Sequence, residues 1–181
     1  GWADDEQSFF VMTNERDERF FDIYEYAVDG YERTLIFQNE LGVFPSAISR
    51  DKRFIALGKV NTTNDSDILL FDRETKEVKN LTAHEGVESN EAVDFAPDGD
   101  LLYTSNRDGE FSRLKKMNLA TGESTVLFET SWDVVNAVYT PDDSRLLVYV
   151  NADARTELTL IDLASGAKVE LPSVPAGDIT G

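Results

Sequence analysis

Apolar residues run along this chain in short bursts, and nowhere do they recur with the 3.6-residue stripe of an amphipathic helix. The bursts are Phe9-Phe10-Val11-Met12, Phe54-Ile55-Ala56-Leu57, Leu101-Leu102-Tyr103 and Leu146-Leu147-Val148-Tyr149-Val150. Each is bounded by turn-forming residues, which predicts strands. Successive residues are apolar, so both faces of each strand need cover, unlike the alternation of a sheet with one wet face. The stretch from Glu91 to Phe128 illustrates the pattern. A strand over 91–96 leads into Pro97-Asp98-Gly99, where Pro presets φ and Gly follows. An apolar strand over 101–105, a polar loop over 106–110 and a strand over 114–118 come next. Ala120-Thr121-Gly122 then makes a hairpin turn into a strand over 124–128, and Asp29-Gly30 and Ser165-Gly166 are matching hairpin turns.

The pattern repeats. Phe71-Asp72, Met117-Asn118 and Ile161-Asp162 each close an apolar strand ahead of a turn, at intervals of 46 and 44 residues, and Tyr26 is placed at the corresponding point of the first unit. Ser49-Arg50-Asp51, Ala96-Pro97-Asp98-Gly99 and Thr140-Pro141-Asp142-Asp143 form a second marker, and Trp2-Ala3-Asp4-Asp5-Glu6 overlays Phe95-Ala96-Pro97-Asp98-Gly99. Four units of about 45 residues follow, with bounds 1–41, 42–86, 87–131 and 132–181. The expected fold is all-β: a β-propeller fragment in which each unit is a four-stranded antiparallel blade, its apolar strands sandwiched between neighbouring blades. Gly-His and Trp-Asp markers in every blade would signal the WD version. Here His84 is the lone histidine, and Trp132-Asp133 precedes a first strand instead of closing a third.

Charge narrows the partners. With 17 Lys+Arg against 35 Asp+Glu, the net charge is −18. Nucleic acid and anionic membranes are therefore poor partners. No apolar run approaches the length of a membrane span, so no membrane insertion is expected. The absence of cysteine excludes disulfides and thiolate chemistry, and it fits bacterial cytoplasm and periplasm alike.

Catalytic motifs are missing. A nucleophile elbow needs G-x-S-x-G. Gly122-Glu123-Ser124 comes nearest, but Val126 stands where the second glycine belongs. No G-x-G fingerprint or P-loop occurs, so neither a nucleotide cofactor nor any other is expected. His84 would have to be the base of any serine chemistry and is read as an ordinary loop residue. Asn61-Thr62-Thr63-Asn64-Asp65-Ser66-Asp67 is oxygen-rich but lacks the Gly and distal Glu of a calcium loop, so no metal site is assigned.

The segment Asp22-Ile23-Tyr24-Glu25-Tyr26-Ala27-Val28-Asp29-Gly30 resembles the D-I-Y-x-x-D-x-D-G blade signature of the prolyl oligopeptidase family of serine peptidases, related to TolB-type repeats. It departs at Ala27, where an acidic residue is usual. Phe95-Ala96-Pro97-Asp98-Gly99 resembles the family's F-S-P-D-G turn. Phe10 through Asp22, Leu81 through Gly86 and Trp132-Asp133-Val134 are similar to first-half blades of bacterial peptidases of this type. The resemblance implies a larger enzyme, in which a propeller of seven or eight blades caps a C-terminal α/β-hydrolase domain carrying a Ser-Asp-His triad. It makes this chain a non-catalytic segment that gates peptide substrate, with its last residues, Asp178 to Gly181, stopping just before a further strand.

In a four-stranded meander, the loops joining second to third strands share one end with the links between blades. That end gathers Glu15, Asp17, Glu18, Asp65, Asp67, Asp108, Glu110, Asp153 and Glu157, with Glu40, Glu85, Glu88, Glu129 and Asp133 from the links. Glu85, Glu88 and Asp133 are the candidate substrate contacts of an acidic mouth that focuses cationic peptide ends; a solvated rim is the plainer reading. A different reading makes the chain a TolB-like propeller for protein–protein contact. In a third, four units close alone or two chains pair. A half ring leaves both end blades bare, so a homo-oligomer is expected of the isolated chain.

Overall fold

The computed structural model describes residues 1–172, all of whose regular elements are strands. Fifteen strands form four antiparallel meanders in chain order. The first sheet holds β1 (Ser8–Asp17), β2 (Phe20–Ala27) and β3 (Arg33–Phe37). The second holds β4 (Phe44–Ile48), β5 (Phe54–Thr62), β6 (Asp65–Asp72) and β7 (Val78–Asn80). In the third are β8 (Asn90–Phe95), β9 (Leu101–Ser105), β10 (Arg113–Met117) and β11 (Ser124–Phe128). The fourth has β12 (Asp133–Tyr139), β13 (Arg145–Ala152), β14 (Arg155–Asp162) and β15 (Lys168–Val169). Asp178 to Gly181 lie outside the described residues. The sheets pack face to face in succession, as blades of a β-propeller do.

The apolar bursts explain that stacking. Along β5, Ile55 and Leu57 join Phe10, Ile23 and Phe37 of the first sheet, while Ala56 points the other way, toward Phe95, Leu101 and Tyr103 of the third. On β9, Leu101 and Tyr103 face the second sheet, and Leu102 faces Val134, Leu146 and Val148 of the fourth. A period of two with apolar residues on both phases thus builds two interfaces from one strand.

One expectation fails: the first sheet has three strands, not four. Its innermost place holds only the isolated bridge Trp2↔Phe9, with Gly1 bonded to Phe10. Beside it lies a cleft of about 380 Å³ lined by Phe10, Met12, Ile23, Pro45 and Asp94 among others. The outward face of this sheet is aromatic and carries no further sheet: Phe9 stacks on Tyr26, the exposed Trp2 tilts against Phe9, and Arg33 lies over Tyr24.

The repeated markers are turns with a shared mechanism. At the first-to-second strand turns, Asp5, Asp51, Asp98 and Asp142 each accept the backbone N–H two residues on. The next position, Glu6, Lys52, Gly99 or Asp143, takes a positive φ. At the outer hairpins, Asp72, Asn118 and Asp162 cap the following N–H groups with Oδ1. The N–H of Lys76, Gly122 and Gly166 bonds back to each at 2.8 Å. The first unit is corrected by one residue: Ala27, not Tyr26, matches, because Ala27 N–H bonds Glu32 C=O as Asp72 bonds Glu77. A methyl group there cannot cap the turn.

Between the first two sheets, Asp22 is fully buried. It accepts Arg16 Nε at 2.7 Å, Arg16 Nη2 at 2.9 Å and Asn39 N–H at 2.8 Å. Asn39 in turn folds the link, accepting from Gly42 N–H and donating to Val43 C=O. At the far end, Arg50 grips both oxygens of Asp143 at 2.6 Å and reaches Asp4 at 3.2 Å, so turns of the first, second and fourth sheets converge on one guanidinium.

Candidate functional site

Part of the acidic end is neutralised by local pairing. Arg33 binds Glu15, Arg19 binds Asp17, Lys115 binds Asp108 and Arg113 binds Glu129. Glu88, a sequence candidate, is held by Arg107 Nε at 2.9 Å. Glu85 is exposed on the link. Asp133 lines a cleft of about 340 Å³ between the third and fourth sheets, closed on one side by Thr63 and Asn64 of the second. The three predicted contacts are therefore not brought together as a site.

What the structure brings together instead is Glu91, Glu110 and Asp133, with no ion pair to any of them among the described residues. Glu91 stands at the start of β8, directly opposite Thr104 of β9, so the two share a face of the third sheet. That face also carries Leu114, which packs on the fourth sheet. Thr104 is buried and lines the cleft. The walls are fixed by hydrogen bonds. Asn106 Oδ1 accepts Ser89 N–H at 2.8 Å, and Asp133 Oδ1 accepts Ser112 N–H at 2.8 Å. Ser112 C=O receives Val134 N–H at 2.9 Å. Three carboxylates among hydroxyls and amides suit a cationic hydrogen-bond donor, such as the ammonium group of a peptide.

His84 is not an ordinary loop residue. Its side chain is only 4% exposed, with Nδ1 2.8 Å from Thr82 C=O and Nε2 2.8 Å from Asp65 Oδ1. The Thr82 carbonyl, then the Asp65 carboxylate, push its pKa above the ordinary histidine value. Both ring nitrogens are thus engaged, by the Thr82 carbonyl and the Asp65 carboxylate. Elsewhere, burial raises the Asp94 carboxyl and pushes the Tyr139 hydroxyl up to about 12. The described residues hold no group of three or more His, Asp or Glu side chains placed to bind a metal ion.

No family model matches the chain, and no curated protein matches it in sequence. Solved structures do match its fold. TolB from Acinetobacter baumannii superposes with a TM-score of 0.72 and 18% identity over 92% of this chain and 41% of its own. A TolB of Agrobacterium tumefaciens gives 0.72 and 17% over 93% of this chain and 62% of its own. One of two prolyl endopeptidases described for inter-domain dynamics in catalysis and specificity gives 0.69 and 15%, over 95% and 28%. The chain is thus similar in fold to a TolB-like β-propeller and to part of a prolyl endopeptidase. It spans less than two thirds of each of these structures.

Proposed function

We propose that this chain is the non-catalytic propeller segment of a serine peptidase of the prolyl oligopeptidase type, gating peptides on their way to a hydrolase domain. The observation that carries the reading is the cleft with Glu91, Glu110 and Asp133, which have no ion pair among the described residues while Glu88, Asp108 and Glu129 nearby are paired. A peptide's cationic end would be drawn there by the carboxylates of that end that remain unpaired and held by these three. The likeness to a prolyl endopeptidase supports the fold half of this reading.

The test uses the full-length protein that carries the segment. Fluorophosphonate labelling of a product near ~70 kDa is the expected result, since the propeller itself supplies no activated serine. An unlabelled product would discard the peptidase and favour the second reading, a TolB-like module for protein contact, to which the two TolB superpositions give support. The mouth is tested separately. Replacing Glu91 and Glu110 by Gln and Asp133 by Asn together should weaken binding of a free-amine peptide about tenfold at low salt. Unchanged affinity would remove the mouth from the account.

A further inference from the structure

The link between the second and third sheets is a strap fastened at both ends. At its start, Leu81 N–H bonds Ile68 C=O and Thr82 Oγ1 accepts Ile68 N–H, both at 2.8 Å. At its end, Glu88 C=O accepts Ser66 N–H, and Ser66 Oγ exchanges hydrogen bonds with the main chain of Asn90. Between these fastenings the strap is held to β6 by His84, whose Nε2 reaches Asp65.

The geometry fixes the protonation of that ring. A main-chain carbonyl can only accept, so Nδ1 must carry a hydrogen toward Thr82. An ionised carboxylate can only accept, so Nε2 must carry one toward Asp65. Both hydrogens are present only in the imidazolium. Its surroundings agree: Asp67 Oδ1 lies 3.4 Å from Nδ1, buried and without a hydrogen bond, and Glu88 lies at 4.0 Å. From the neighbouring elements, Asn61 binds the other Asp67 oxygen, Lys59 stands opposite Asp67 in register but is exposed, and Arg107 binds Glu88 and the Ala83 carbonyl.

We propose that His84 is a proton-operated latch: its imidazolium clips the middle of the 81–89 link to the start of β6, and loss of one proton releases the link. A neutral ring has one N–H for two acceptors. It would turn a lone pair toward either Thr82 C=O or Asp65, and it would leave Asp65, Asp67 and Glu88 crowded without their central cation. The released stretch, residues 83–87, runs directly into Ser89, which is pinned by Asn106 and lines the cleft beside the third sheet, so the latch sets the tension on the segment that enters one wall of that cleft. Its folded-state pKa is raised, so its contribution is complete below the ordinary histidine value near 6.5 and is lost as pH rises through the raised value. The inference is independent of the peptidase reading.

His84 is the only histidine, so its ring nitrogens give unambiguous NMR signals. The experiment follows those signals, and amide exchange at Ser66, Ile68 and Asn90, in the ¹⁵N-labelled protein from about pH 5.5 to 9. The expected result is an imidazolium at neutral pH with a midpoint above 6.5. Across it, exchange at those amides should rise about tenfold beyond intrinsic base catalysis. His84→Gln should show the raised exchange at every pH, with no step. Asp65→Asn retains the ring and should lower the midpoint, which keeps the test alive if the glutamine variant does not fold. A midpoint at or below the ordinary histidine value overturns the latch. So does a clear titration that leaves exchange at the three amides flat.

Discussion

Replacing Asp22 by Asn tests how the first two sheets are locked. The change keeps the shape and removes the charge. One amide oxygen can still accept Asn39 N–H, but the new NH2 meets Arg16 Nε, a donor facing a donor across a gap that is now 2.7 Å. The Arg16 side chain is 34% exposed, so water compensates part of its loss, and its bond to Asn39 C=O at 2.9 Å survives. One charge-assisted bond in a buried setting is the net loss, a cost of about 2–3 kcal/mol. For a chain of this size that lowers Tm by roughly 5–10 °C. Arg16→Gln should cost more, about 3–5 kcal/mol, because it strands a carboxylate that is fully buried. The pair with Arg16 holds Asp22 below the usual carboxylate range. A depressed folded pKa gives stability that is present above the ordinary value and lost as pH falls through the depressed one. The acid limb of the wild-type stability curve should therefore be steeper than that of Asp22→Asn. Thermal unfolding followed by circular dichroism and calorimetry between about pH 2 and 7 reads all three quantities. A Tm for Asp22→Asn unchanged at neutral pH, or a smaller cost for Arg16→Gln than for Asp22→Asn, would refute the reasoning.

Ala27→Asp should supply the missing turn cap in the first sheet and stabilise by about 0.5–1 kcal/mol, measured by urea unfolding; a loss of stability would contradict the one-residue correction of the repeat. Lys76 holds φ +63 at the position where Gly122 and Gly166 sit. Lys76→Gly should accordingly be neutral to stabilising by up to about 1 kcal/mol, where a destabilisation would show that the strain is absent. The isolated 181-residue chain should self-associate through its uncovered faces, with Tyr26→Lys shifting it toward monomer in sedimentation velocity. A sharp monomer at about 50 μM would oppose that expectation.

The turns were the most legible part of the fold, because Asp5, Asp51, Asp98 and Asp142 act on their own backbones, so the signal is local. The strands were legible from bursts that cover two faces. The register of the β2–β3 hairpin was not: an irregularity between Ile23 and Tyr24 shifts the pairing, and no residue type marks it. The site was harder still. Loop topology suggested Glu85 and Glu88, but Arg107, 19 residues on, neutralises the second. Glu91 and Thr104 were read as ordinary strand residues, because their cross-strand pairing appears only when the sheet forms. Charge density is readable from a sequence, whereas charge left over after pairing is a tertiary quantity. His84 illustrates the same limit, since its two acceptors come from its own link and from β6.

The two-sided use of β5 sets a rule for how such a chain can change. Ile55 and Leu57 serve one interface while Ala56, between them, serves the other. Inserting a single residue ahead of Ile55 would exchange the two sets, driving large side chains into a slot shaped for a methyl group and leaving a void on the opposite side. Both neighbouring sheets would lose their fit at once. Single-residue insertions and deletions within these strands should therefore be purged, while lengthening a loop or duplicating a whole unit of about 45 residues leaves every face matched. The molecule can be edited by the blade or by the loop, but hardly by the residue count of a strand.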